Sequence, residues 1–284
     1  MKVALAGAFG NLGTEILKKL VISDNEIIAL DLVEKDIPEL KGKYSFKKID
    51  VTNKETLNGI FDNCDCVITT VGLTGASTKF SCYDIDYQGN VNLYNEAVKA
   101  NVKKFIYISV IACDIDDAKK VPMLNSKKMF EDVLKSGSID YVIHRPTGYF
   151  YDIIKVFRPY IEKGEMQLLK NYGHVKANVV DCKDFAEFIV NTMNDINKVY
   201  EVGGKETYTY EEMAALCFEA ANKPLKIKYA PKFLFSVLAN LPKIKKAGKK
   251  DIILFSRFTL SHDLVGKDIV GEGSFKEYIN KNFK

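Results

Sequence analysis

Apolar and polar positions follow two alternating rhythms along the first half of this chain. Val3-Ala4-Leu5-Ala6, Glu26 to Leu30, Tyr44 to Ile49, Asp65 to Val71, Lys104 to Ile108 and Ile139 to His144 are short apolar runs that read as six strands. The stretches between them carry helical spacing. Leu12, Ile16, Leu17, Leu20 and Val21 share one face after the first strand. Val91, Leu93, Tyr94, Ala97 and Val98 mark a helix from Asp84 to Ala100, and Lys127 to Leu134 forms another. Thr52 and Glu55 have capping-box spacing, which predicts a helix through Phe61. Nearly continuous apolar strands alternating with helices predict an α/β fold: a Rossmann-type, doubly wound parallel sheet with helices on both faces.

From Thr147 onward the rhythm changes. Aromatic residues crowd Tyr149 to Tyr160, and Met166 to Leu169 and Val199 to Val202 read as strands. Helices are expected from Asp181 to Met193, from the Thr209/Glu212 capping pair to Asn222, and after Ser274/Glu277. This predicts a Rossmann core over residues 1–150, joined by a strand and helix from about 175–204. A smaller C-terminal α+β substrate or lid region would cover residues 151–284.

Punctuation adds chemistry to the pattern. The first strand stops at Gly7-Ala8-Phe9-Gly10-Asn11-Leu12-Gly13, a helix follows, and the second strand ends on Asp31. Glycines allow a tight turn and close approach of the backbone to a pyrophosphate, and the helix start aims unpaired N–H groups at its charge. An acid at the second strand's tip accepts hydrogen bonds from ribose hydroxyls and repels a 2′-phosphate, so NAD is expected ahead of NADP. Ligands on such sheets gather at the strands' carboxyl ends, here Gly7, Asp31, Asp50, Gly72, Ser109 and Pro146.

Composition narrows the classes. The chain has 284 residues, 47% hydrophobic and 27% charged, enough for a large core. Its net charge of +4 comes from scattered lysines with three arginines, which argues against nucleic acid. A strand at the N-terminus leaves no room for a signal peptide, and no apolar run nears the roughly 18 residues of a membrane span. Six dispersed cysteines and three dispersed histidines predict no metal site and reduced thiols in a cytoplasm.

The glycine turn, Asp50-Val51-Thr52, Asp86-Tyr87-x-Gly89-Asn90, the strand to Ser109 and Arg145-Pro146-Thr147-Gly148 together carry a resemblance. The chain resembles the extended and atypical short-chain dehydrogenase/reductases, most closely the NmrA-like and isoflavone-reductase-like branch. The resemblance implies NAD(P) binding by Gly7, Phe9, Gly10, Asn11, Leu12 and Gly13. It implies ribose contact by Asp31 and Leu32, and adenine contact by Asp50 and Val51. Val71, Gly72 and Leu73 would flank the cofactor, with Pro146 and Thr147 near the nicotinamide. It further implies catalysis by a serine, matched by Ser109, and by a tyrosine four residues before a lysine. Lys127 matches the lysine, but Met123 stands at the tyrosine position, and a thioether transfers no proton.

Three consequences follow from that departure. Lys127 acts alone or through water, a phenol from Tyr149 or Tyr151 substitutes, or the chain binds the dinucleotide without turnover as a regulator or assembly protein. The expected activity is NAD(P)-dependent oxidation or reduction of a small organic molecule, apolar or aromatic if Tyr149, Phe150 and Tyr151 line its pocket. Asp86 and Asn90 are expected to cap or pack their helix, and His144 to be a satisfied core residue. Phe233 to Leu241, followed by lysines, reads as a packed tail helix in preference to a membrane-surface helix. A homo-oligomer is left open.

Overall fold

Val3 to Ala6 are fully buried and form the centre of the sheet, β1 (Lys2–Ala6). The chain continues through α1 (Asn11–Leu20), β2 (Glu26–Asp31), β3 (Ser45–Lys48), β4 (Cys66–Thr69), α2 (Asn90–Lys99) and β5 (Lys104–Ile108). It then adds α3 (Pro122–Ser136), β6 (Asp140–Pro146), α4 (Phe150–Lys163), β7 (Met166–Leu169), β8 (Lys176–Ala177), α5 (Cys182–Asn191), β9 (Lys198–Gly203) and β10 (Tyr208–Thr209). It closes with α6 (Tyr210–Ala220), β11 (Ile227–Ala230), α7 (Lys232–Asn240), α8 (Pro242–Lys246), α9 (Lys250–Thr259), β12 (Asp268–Ile269) and α10 (Phe275–Asn282). The computed structural model describes residues 1–73, 75–246 and 248–283.

Among the described residues eight strands form one sheet in the order β12-β9-β6-β5-β4-β1-β2-β3, every pair parallel. The strand order reverses between β1 and β4, and that switch leaves a crevice at their carboxyl ends. One face is covered by α1 and α5, where Leu12, Ile16, Leu17 and Leu20 meet Phe185, Ala186 and Ile189. The other face is covered by α2 and α3 through Leu93, Ala97, Phe130 and Leu134. Truncating one such leucine to alanine would cost about 2–5 kcal/mol. A third apolar cluster, including Phe157, Leu168, Met213, Cys217, Phe218 and Phe275, holds the C-terminal region together.

The structure corrects three local expectations. Residues 52–61 hold no α-helix: a 3₁₀ turn spans Lys54–Leu57, capped by the Asn53 side chain accepting from Glu55 N. The Thr52 hydroxyl instead donates to Asp50 Oδ1 (2.7 Å), so the capping pair never forms. The helix expected from Asp84 begins as a π-helical turn, Tyr83–Gly89, before α2 takes over. The sheet also takes a strand from the far end of the chain, β12, paired with β9 at Asp268↔Val202.

Candidate functional site

Gly7, Gly10 and Gly13 meet at the strand-order switch, and packing dictates two of them. Gly7 has φ +78° and lies against Thr70, whose hydroxyl donates to Gly7 O (3.0 Å). A Cβ on Gly13 would fall 2.0 Å from Gly7 O, so helix α1 could not approach the turn with any larger residue there. Gly10 is the N-cap of α1, without a capping side chain and without an acid in the first turn. The helix therefore starts with N–H groups that no side chain satisfies, at an exposed edge formed by Gly10 and Asn11. That is a cradle of the right chemistry for a diphosphate.

Asp31 ends β2 beside this turn. Its Oδ2 accepts from Phe9 N (2.9 Å) and its Oδ1 from Leu32 N (2.8 Å). Each carboxylate oxygen keeps a second lone pair, so the acid braces the turn and still has acceptor capacity for a ribose. The Phe9 ring is buried against Tyr44 and Phe46, and Leu12 is buried in the α1 core, so both side chains are structural. Lys35 reaches back to donate to Phe9 O. Leu32 is exposed, and a cavity of about 350 Å³ lined by Glu34, Lys35, Lys41 and Tyr44 opens near it. Asp50 carries a carboxyl held below its ordinary value by hydrogen bonds from Thr52. The neighbouring Val51 packs on Gly89 and accepts from Asn92 through its carbonyl.

Across the switch, β4 runs into Val71, Gly72 and Leu73, all half-buried. Asn90, buried at the start of α2, accepts from Thr69 Oγ1 (2.8 Å) and donates to Val71 O (3.2 Å), which fixes this strand exit. Asp86, buried in the π-helical turn, accepts from Leu73 N (3.0 Å) with one oxygen and pairs with Lys127 Nζ (3.2 Å) through the other. Lys127 also donates to Ile108 O (3.3 Å) and lies 5.5 Å from the Tyr107 ring centroid. A Cβ on Gly72 would lie 2.6 Å from Asp86 Oδ1 and 3.2 Å from Lys127 Nζ. The sequence expectation is that Asp86 caps or packs its helix, and it is indeed buried there. The structure makes it the partner of Lys127, because the π turn swings its side chain inward.

Ser109 and Lys127 flank the same strand end but face different surroundings. Ser109 is buried with its hydroxyl 3.9 Å from Cys113 Sγ, and Cys113 in turn donates to Glu131 (3.3 Å). Glu131 accepts from Arg145 through Nε (2.9 Å) and Nη2 (2.7 Å) and from Lys135 (3.0 Å). Burial opposes the Glu131 charge, but the Arg145 guanidinium outweighs it and holds the carboxyl down at about 2. Burial likewise pushes the Cys113 thiol up to about 12. Pro146 and Thr147 are buried at the end of β6, with Thr147 Oγ1 donating to Asn178 O (2.8 Å).

Met123 opens α3 and lines a small cavity of about 20 Å³ with Leu73, Phe80, Cys82, Asp251 and Ile252. The alternative phenols stack on each other at 5.4 Å, and burial raises the pKa of both Tyr149 and Tyr151. They sit with Cys182 on the α1/α5 side of the sheet. Asp152, next in the chain, is raised to about 6 by burial. His144 is fully buried, bonded to Thr192 Oγ1 (2.9 Å), and burial holds its pKa near 3, so it stays neutral. Its Nδ1 and the Tyr107 hydroxyl have no hydrogen-bond partner among the described residues.

Comparison with known proteins agrees with this geometry. The photosystem II assembly factor Ycf39 of Guillardia theta is 23% identical over 81% of this chain and 74% of its own length. The NADPH-dependent quinone oxidoreductase QOR2 of Escherichia coli, solved with NADPH, superposes with a TM-score of 0.76 at 17% identity, covering 99% of this chain and 100% of its own. The triphenylmethane reductase of Citrobacter sp., solved with NADP(H), gives 0.72 at 18% identity and covers both chains fully. A family model described as NAD(P)H-binding matches residues 7–196, and by that match the chain belongs to the NAD(P)H-binding family.

Proposed function

We propose that this chain is an NAD(P)-dependent oxidoreductase whose substrates are conjugated, hydride-accepting small molecules such as quinones. The observation that carries this reading is the pairing of a held lysine with an absent acid. Lys127 is fixed by Asp86 and Ile108 O at the sheet's carboxyl edge, while Met123 occupies the position of the family's proton donor. A dinucleotide whose diphosphate lay on the α1 cradle would supply a hydride from its reduced nicotinamide. Lys127 is placed to hold its ribose hydroxyls, and Asp31 to hold the adenosine ribose, which favours NAD over NADP. A simple ketone reduced by hydride becomes a strongly basic alkoxide and needs an acid beside it. A quinone becomes a stabilised phenolate and takes its proton from water, so Met123 is no obstacle. Ser109, tied to Cys113, is proposed to shape the strand end and polarise the reacting group only through that network.

A second reading has its own observation. The cavity beside Met123 holds about one water, and a chain that binds the dinucleotide without turnover needs no more. The Ycf39 relative is named as an assembly factor, which fits a binding role. Calorimetric titration with NAD, NADH, NADP and NADPH, followed by NAD(P)H consumption against quinones, ketones and aldehydes, separates the two. Quinone turnover with inert ketones supports the oxidoreductase. Tight dinucleotide binding with no turnover on any acceptor replaces it with the binding role.

A further inference from the structure

Helix α7 does not pack as its composition demands. Phe233 (64% exposed), Leu234 (44%), Val237 (56%), Leu238 (42%) and Leu241 (44%) project outward together at the i, i+1, i+4, i+5, i+8 spacing of one helical face. The opposite face is the one that docks: Ala239 is fully buried, and Ser236 accepts from Arg257 of α9 (2.6 Å). The expected packed tail helix does pack, on α9, but not through its apolar stripe. The apolar stripe is real, but α9 covers the narrow polar side instead.

We infer that α7 is a docking element for an anionic lipid surface, lying flat on it with this ridge in the headgroup–acyl boundary. The charge pattern selects that occupant. Between Glu219 and Asp251 the chain carries nine lysines and no carboxylate, although the net charge of the whole protein is only +4. The rest of the chain is thus net acidic and this segment strongly basic; Lys228 is paired with Glu165, and the lysines after the ridge carry the charge. Lys243, Lys245, Lys246 and Lys249 follow the ridge directly and are exposed. Exposed apolar residues beside clustered lysines on a short helix match the two attractions of an interfacial helix, apolar burial and attraction to anionic headgroups. The five side chains form a ridge, a shape that a fluid interface accepts without a matching groove. Among the described residues no helix is long and apolar enough to cross a membrane, so the contact is peripheral. This inference is independent of the oxidoreductase reading.

The test is flotation of the full chain with phosphatidylcholine vesicles, with and without phosphatidylglycerol, at low and high salt. The expected result is binding to the anionic vesicles that salt weakens and that pure phosphatidylcholine lacks. Lys243→Gln, Lys245→Gln and Lys246→Gln should each weaken it roughly fivefold. A Phe233→Ser, Val237→Ser, Leu241→Ser triple variant should weaken it at least about tenfold while its dinucleotide titration and circular dichroism stay unchanged. No flotation with anionic vesicles overturns the inference. So does flotation indifferent to both sets of substitutions. A dimer that the triple variant dissolves, with no vesicle binding, assigns the ridge to a second copy of the chain and also overturns it.

Discussion

The two sides of the crevice are built to different standards. On the β1–β4 side every element is fixed: Gly7 and Gly13 pack to contact distance, Asp31 braces the turn, and α1 begins with free N–H groups. On the Met123 side there is a lysine–aspartate pair, a thioether and a cavity of about one water beneath α9. The difference shows where the sequence is constrained. A turn packed to contact distance specifies backbone geometry, whereas the Met123 side accommodates a thioether beside a lysine–aspartate pair without loss of the fold.

The largest effect belongs to the cradle. Gly13→Val places its side chain on Gly7 O, and calorimetry should detect no dinucleotide binding by a protein destabilised by about 1–3 kcal/mol. The buried pair between β6 and α3 comes next. Arg145→Met leaves Glu131 charged and buried, and chemical denaturation should register a loss of about 3–5 kcal/mol. Because the Glu131 carboxyl drops from 4.5 to about 2 on folding, the pair's contribution is complete above pH 4.5. It should vanish as the pH falls towards 2, and a pH series of melting curves would show Arg145→Met converging on the parent there.

A smaller effect tests the acceptor side. Lys127→Ala should weaken dinucleotide binding about tenfold, and unchanged affinity would remove the proposed ribose contact. Met123→Tyr restores the family spacing, and slow ketone reduction should appear only if hydride reaches this side of the crevice. The smallest effect is that of Asp152, raised by burial from 3.8 to about 6. Folding prefers its protonated form, so its contribution is full below pH 3.8 and is lost as pH rises through 6. Asp152→Asn should melt a few degrees higher than the parent at pH 8 and equally at pH 4.

Much of this was legible in the chain, and the exceptions share a cause. Strands such as Cys66–Thr69 and the glycine turn announce themselves because burial on both faces and tight turns restrict residue type locally. Helical periodicity from Asp84 marks Asp86 as a packed residue but hides the π turn, and with it the pairing with Lys127. The 3₁₀ turn after Thr52 was misread because Asn53 and Thr52 compete as caps, and Asp50 decides between them. In α7 the periodicity reports an apolar stripe, but nothing in it states whether protein or solvent lies opposite. Two-residue β12 has no local signal, since its pairing is set by β9.

That last strand governs how the molecule can be made. Buried Asn178 donates to Gly266 O (3.0 Å) and accepts from Gly266 N (2.9 Å), stitching the chain just ahead of β12 to the core as a backbone pair would. A chain emerging from a ribosome therefore presents β9 as an open edge until residues 266–269 are available to cover it. Truncation before residue 266 leaves that edge bare for pairing with another chain. The large sheet is thus completed by a strand that lies beyond residue 266, not by the first 203 residues alone.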